Sequence, residues 1–139
     1  MTMAIAGLNH LTLAVSDSDR SISFYRDILG FHQRAVSDES AYFEAGSLWL
    51  CLSLDEKMTD TRDATYSHVA FDVPEDYFAA MSETLAACTN AWQDNSSEGA
   101  SHYFLDPDGH KLEIHVGSLA SRLQHHRQNP AKGVRVFDD

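Results

Sequence analysis

The sequence predicts an α+β fold made of two copies of one module (strand, helix, then three strands) placed one after the other in 139 residues. Three observations carry this expectation. Residues 8–15 and 66–73 each alternate apolar and polar side chains with the period of a strand. Each is followed by a stretch whose apolar residues recur at helical spacing. The segments NHLTLAV and SHVAFDV also place a histidine, His10 and His68, at the same phase of the strand that opens each half, which marks an internal repeat.

In the first half, Leu11, Leu13 and Val15 share one face of the opening strand, and His10, Thr12 and Ala14 share the other. Residues 16–19 supply capping side chains, Ile22, Tyr25, Ile28 and Leu29 form a helical stripe, and Gly30 stands where a left-handed stop is needed. Three short strands are expected near residues 31–36, 41–45 and 47–53, with Gly46 turning the last two. The polar run 55–64 has no apolar period and reads as a connector. In the second half, Val69, Phe71 and Val73 oppose His68 and Ala70, and Pro74 opens a helix with Phe78, Met81 and Leu85 on one stripe. Strands are expected near residues 90–93, 101–105 and 111–116. The last two are joined by Asp106-Pro107-Asp108-Gly109, where proline fixes the second turn position and glycine suits the fourth. A helix from about residue 119 to 128, containing Arg122, and a loose tail follow. The expected organisation is one domain over residues 1–139, with modules at about 7–54 and 65–116 and a helix and tail at 117–139.

Composition narrows the function classes. The chain is 43% hydrophobic and 22% charged, and its 21 acidic against 10 basic side chains leave a net charge of −11. That is the profile of a soluble acidic domain, long enough to bury roughly two-thirds of its unfolded surface without disulfides. The two cysteines, Cys51 and Cys88, fit neither a CxxC pair nor a zinc spacing, so a reduced, cytoplasmic protein is expected. No apolar run reaches the roughly 18 residues of a membrane span, and the opening MTMAIAGLNH lacks the pattern of a signal peptide. Nucleic acid is not expected as a partner, because phosphate binding needs clustered Lys and Arg. Taken alone, the charge argues against any anionic ligand.

Chemistry concentrates on the repeat. If a pseudo-twofold relates the halves, His10 and His68 converge near its axis. The period of the last strand puts Glu113 on the face it shares with His115, opposite Leu112 and Ile114. Two imidazoles and a carboxylate suit a divalent first-row metal acting as a Lewis acid. The alternative is two strand-face histidines bonded to backbone and an exposed glutamate. His32, His102, His110, His125 and His126 read as solvated or structural, and Cys51, in the apolar LWLCLSL, as a small buried hydrophobe. The loop NSSEGAS, residues 95–101, is rich in the oxygen donors a hard monovalent cation prefers, but on sequence alone the favoured reading is an ordinary Ser/Gly turn. Arg122 has the planar fork that grips phosphate or carboxylate, though a single helical arginine is usually solvated.

GLNHLTLAVSD, AYFEAGSLWLCLSLDE, YSHVAFDV and NSSEGASHYFLDPDGHKLEIHVGSLASRL, with the spacing between them, resemble the fosfomycin resistance glutathione transferases of the vicinal oxygen chelate superfamily, over residues 7 to about 137. The resemblance implies paired βαβββ modules, a domain-swapped homodimer with active sites built from both chains, and Mn²⁺ held by His10, His68 and Glu113. It implies a K⁺ loop at Asn95, Ser97 and Gly99. Substrate contacts would come from Thr12, Trp49, Tyr66, Ser97, Ser101, Tyr103 and Arg122, with Tyr42 near the glutathione thiol. In that chemistry the metal polarises the epoxide oxygen of fosfomycin, Thr12 bonds that oxygen, and the glutathione sulfur opens the ring.

The chain departs from the family pattern at the phosphonate. Gln93 follows Trp92 where the family usually has a lysine, and Ser96 replaces another commonly basic residue. Val36-Ser37 stands for the usual Arg-Trp pair, and Pro130-Ala131 for Pro-Tyr. Two other functions stay open: a metal-dependent epoxide hydrolase, for which Glu39, after Asp38, lies one residue from that branch's general base, and a non-catalytic small-ligand binding protein.

Overall fold

The computed structural model describes residues 4–58 and 65–137, which divide between two compact units: residues 1–64 with 106–110, and residues 65–105 with 111–139. Among the described residues no helix is long and apolar enough to cross a membrane.

The first unit is a four-stranded sheet of order β1-β4-β3-β2, from β1 (Leu11–Val15), β2 (His32–Val36), β3 (Ser40–Ala45) and β4 (Leu48–Leu54). β1 runs parallel to β4 and the other pairs are antiparallel. Alternation sends Leu13, Val15, Ala41, Phe43, Leu50 and Leu52 into the core, where Ile22, Phe24, Tyr25 and Leu29 of the following helix meet them. That helix, α1 (Ser18–Ser23), starts at Asp17, whose carboxylate accepts from the Arg20 amide, and continues as a π-helical turn over Phe24–Ile28. Hydrogen bonds there span five residues instead of four, as from the Leu29 amide to the Phe24 carbonyl, and this is the departure from the expected regular stripe.

The turn at residues 106–110 is tied into this unit by side chains. The buried Tyr25 hydroxyl donates to Asp106 Oδ2 at 2.7 Å, while Asp106 Oδ1 accepts from the amides of Asp108 and His110. Arg20 donates to Asp108, and His110 Nε2 donates to the Ala14 carbonyl at 2.7 Å. His110 is thus structural, as expected.

The second unit is a three-stranded sheet of order β5-β7-β6, from β5 (Val69–Asp72), β6 (Ser101–Leu105) and β7 (Lys111–His115). β5 and β7 are parallel, as β1 and β4 are, so the repeat extends to the pairing. Pro74 precedes α2 (Glu75–Cys88), whose Leu85 is fully buried. α3 (Leu119–Gln128) opens on a reciprocal capping box between Ser118 and Ser121.

Two expectations need correction. The strand near residues 90–93 does not form: Asn90 gives its carbonyl to the Leu105 amide and the Trp92 indole N–H goes to the Leu112 carbonyl, but no strand pairing follows. The opening strands are also shorter than their alternation suggests. β1 begins at Leu11 and β5 at Val69, where their parallel partners Leu50 and Leu112 begin to pair with them, so His10 and His68 each sit one residue ahead of a strand. Of the expected connector 55–64, Asp55 to Met58 form a turn closed by the Met58 amide on the Asp55 carbonyl; residues 59–64 lie outside the described residues.

Candidate functional site

In the second unit, β7 sets Glu113 opposite Ala70 of β5 and Tyr103 of β6, and His115 opposite Asp72 and Ser101. One face therefore presents Ser101, Tyr103, Glu113 and His115, with His68 entering just ahead of β5. The Glu113 side chain is only 7% exposed, and both its oxygens are engaged. Oε2 accepts from Ser101 Oγ at 2.6 Å, and Oε1 lies 2.9 Å from His68 Nε2.

That second contact has a chemical consequence. His68 Nδ1 is 2.9 Å from the Tyr66 carbonyl, which only accepts, so Nδ1 carries the proton. A neutral His68 then turns the bare lone pair of Nε2 toward a carboxylate oxygen. Two acceptors this close need a cation: a proton on Nε2, or a metal bound by both. At 2.9 Å the pair is as close as an N–H···O hydrogen bond, and the same nitrogen and oxygen would be the atoms offered to a divalent ion. An imidazole oriented by a backbone carbonyl beside a buried carboxylate is a donor set for such an ion.

Aromatic rings surround His68. Tyr66, Trp92 and Tyr103 lie 5.0, 5.3 and 6.1 Å from it between ring centroids, and Lys111 Nζ sits 5.6 Å above Trp92. Burial, with the Glu113 charge behind it, holds the Tyr103 phenol above its ordinary range, so it stays a donor. Gln93 Nε2 donates to the Tyr66 hydroxyl at 2.8 Å. Because that bond occupies a lone pair of the phenol oxygen, the phenol O–H remains available to an acceptor.

The loop at residues 95–99 closes on itself. Asn95 Oδ1 accepts from the amide and hydroxyl of Ser97, and Asn95 Nδ2 donates to the Gly99 carbonyl at 2.8 Å. Arg122 braces the loop, donating from Nε to Glu98 Oε1 and from Nη2 to the Glu98 carbonyl, at 3.1 and 3.2 Å. The arginine holds the Glu98 carboxyl below its ordinary range. Gly99, at φ +86°, has a packing reason as well: a Cβ there would lie 2.4 Å from the Val116 carbonyl oxygen. A cavity of about 360 Å³ is lined by Ala70, Asp72, His115, Ser118 and Arg122 among others.

The remaining expected residues lie in the first unit. Cross-strand register places Thr12, Cys51 and Tyr42 side by side on one face. Trp49 joins them, its ring 4.5 Å from His10 and 5.5 Å from Tyr42. His10 is exposed and its Nδ1 lies 2.8 Å from Asn9 Oδ1. Glu39 is exposed between β2 and β3, its carbonyl taken by the Leu54 amide. The repeat explains why the two units differ chemically. Cys51 pairs with Thr12 where Glu113 pairs with Ala70, so the position that carries a carboxylate in the second unit carries a thiol in the first.

Of the expected metal ligands, His68 and Glu113 are brought together and His10 belongs to the other unit. Among the described residues no three His, Cys, Asp or Glu side chains form a group that would hold a metal by themselves. Two participants were given no role in the sequence reading: Trp92, which packs on His68, and His115, which was placed on the face of Glu113 and whose Nδ1 is 2.6 Å from Ser101 Oγ. The signal for His115 was present in KLEIH, since the same period that exposes Glu113 to the face also exposes His115.

Residues 7–114 match the Glyoxalase/Bleomycin resistance protein/Dioxygenase superfamily. The chain is 48% identical over 138 residues to the glutathione transferase FosA of Serratia marcescens, covering 97% of this chain and 98% of that protein. It is 37% identical over 129 residues to the metallothiol transferase FosB of Staphylococcus haemolyticus, covering 89% and 93%. Among solved structures, the fosfomycin resistance protein FosX of Listeria monocytogenes, complexed with Mn(II) and sulfate, superposes with a TM-score of 0.75 at 28% identity, over 88% of this chain and 98% of that one.

Proposed function

The chain belongs to the glyoxalase/bleomycin resistance protein/dioxygenase superfamily, and we propose that it is a fosfomycin-inactivating enzyme that adds glutathione to the epoxide carbon of the antibiotic. The observation that carries this reading is the His68–Glu113 pair, a metal-binding donor set held 2.9 Å apart in a chain so similar to a glutathione transferase. The setting is the reduced cytoplasm, in keeping with free cysteines at Cys51 and Cys88.

His68 and Glu113 hold Mn²⁺, and His10 of a second copy completes the set in a homodimer. When bound, the metal supplies Lewis acidity that stabilises negative charge developing on the epoxide oxygen. Thr12 donates a hydrogen bond to that oxygen as its bond to carbon breaks. Tyr42, exposed on the same face of the first sheet, bonds the attacking sulfur and orients it in line with the breaking bond. Trp49 shields the reacting centre beside it.

The phosphonate is held by donors of the second unit: the phenols of Tyr66 and Tyr103 and the N–H groups of Arg122 not spent on Glu98, with Ser97 and Ser101 lining the site while their hydroxyl hydrogens stay on Asn95 and Glu113. K⁺ in the loop of Asn95, Ser97 and Gly99 adds local positive charge. These groups answer the objection raised by a net charge of −11: bound ions and a few fixed donors set the local potential, whatever the sign of the surface.

The test is glutathione consumption by Mn²⁺-loaded protein when fosfomycin is added. His10→Ala and Glu113→Ala should each abolish it. Mixing the two variants and allowing subunits to exchange should restore about a quarter of the parent rate, since half the dimers are mixed and each mixed dimer has one intact site. No thiol consumption by the parent protein would refute the activity, and no recovery on mixing would refute the shared site.

A further inference from the structure

We propose that His115 is a positioning residue for Glu113, acting through Ser101. The proposal rests on the metal-dependent reading above and concerns this chain's own hydrogen bonds. A serine hydroxyl has one hydrogen, and Ser101 spends it on Glu113 Oε2 at 2.6 Å. In its 2.6 Å contact with His115 Nδ1, the serine oxygen is therefore the acceptor and the ring nitrogen the donor. The relay runs one way: His115 Nδ1–H to Ser101 Oγ, and Ser101 O–H to Glu113 Oε2, the direct approach of Nδ1 to Oε2 being longer, at 3.5 Å.

The backbone builds this relay. Ser101 and His115 are directly opposed across β6 and β7, and Glu113 is two residues before His115 on the same face. The imidazole is also trapped. A Cβ added at Gly99 would fall 2.8 Å from His115 Cε1, and one added at Gly117 would fall 2.8 Å from Nε2. Two glycines thus leave a slot that the ring fills, and its side chain is only 16% exposed. A ring fixed by packing can fix a hydroxyl, and that hydroxyl fixes the rotation of the carboxylate. Oε1 is then aimed at His68 Nε2 rather than free to swing. Outer hydrogen bonds of this kind orient metal ligands, and their loss typically lowers metal affinity roughly 10- to 100-fold.

Binding of Mn²⁺ alone, followed by the electron paramagnetic resonance of the free ion without fosfomycin or thiol, is the direct test. His115→Leu should weaken binding at least about tenfold. His115→Asn should recover most of it, because its amide N–H donates from near the Nδ1 position. In Ser101→Ala, already weakened, adding His115→Leu should cost nothing more. Circular dichroism melts establish that each variant is folded. An affinity of His115→Leu within threefold of the parent, an asparagine variant as weak as the leucine one, or additive losses in the double variant would each overturn the proposal. If the parent itself fails to bind Mn²⁺, the metal reading falls and the proposal with it, whereas unchanged affinity in a folded His115→Leu refutes only the relay.

Discussion

Gln93→Lys reverses one of the departures of this chain from the family pattern it resembles. In the structure Gln93 donates a neutral hydrogen bond to the Tyr66 hydroxyl at 2.8 Å. Lysine removes that bond, worth about 0.5–1.5 kcal/mol, and offers the phosphonate a charged donor worth about 1.5–3 kcal/mol. The middle of each range leaves a net gain of about 1.2 kcal/mol, or roughly sevenfold in affinity. The assay is the fosfomycin KM at saturating glutathione and Mn²⁺, measured at low and high salt. The variant's KM should fall about sevenfold at low salt, and the advantage should shrink as salt screens the added charge. An unchanged or raised KM, or an improvement insensitive to salt, would refute the reasoning. The Gln93 side chain would then face something other than the phosphonate, or another cation would already neutralise it.

Tyr25→Phe should destabilise the fold by about 2 kcal/mol, because a buried hydrogen bond to a carboxylate is lost while Asp106 keeps its two backbone donors; urea midpoints at pH 7 read the difference. Burial, the Asp106 charge and the hydrogen bond to it raise the Tyr25 phenol well above its ordinary value. Its stabilisation is therefore full below about pH 10, where the unfolded phenol titrates, and declines as pH rises beyond that; Tyr25→Phe should flatten this alkaline loss. Gly99→Ala meets both a positive φ and the Val116 carbonyl at 2.4 Å, whereas Gly46→Ala meets a positive φ with nothing within 4 Å. The first should cost about 1–3 kcal/mol or more and raise the fosfomycin KM, and the second should sit at the lower end with KM unchanged. Removing divalent metal with a chelator should abolish turnover, and Mn²⁺ should restore it in the parent but not in His68→Ala.

Much of the fold was legible because alternation and helical spacing report burial directly. The stripe of Leu11, Leu13 and Val15 forms β1 with its last residue buried, and α3 spans the residues its spacing marks. Element ends were less legible, since a strand stops where its partner stops. Nothing in YSHV says that β7 pairs only from Val69 onward. Near residue 90, Trp92 looks like a strand aromatic, but it meets the sheet through its side chain, with the indole N–H on the Leu112 carbonyl, and not through a backbone ladder. Period alone put Glu113 and His115 on one face. It carried no information about the hydroxyl of Ser101, opposed to His115 across a pairing that only the folded sheet defines.

The central claim is that glutathione, and not water, opens the epoxide. Mass analysis of fosfomycin incubated with Mn²⁺-loaded protein, with and without glutathione, tests it in one experiment. A single adduct of drug and glutathione, formed only when the thiol is present, is the predicted result. A diol formed without thiol would contradict it in favour of hydrolysis, and intact drug in both arms would contradict any catalytic reading of the site.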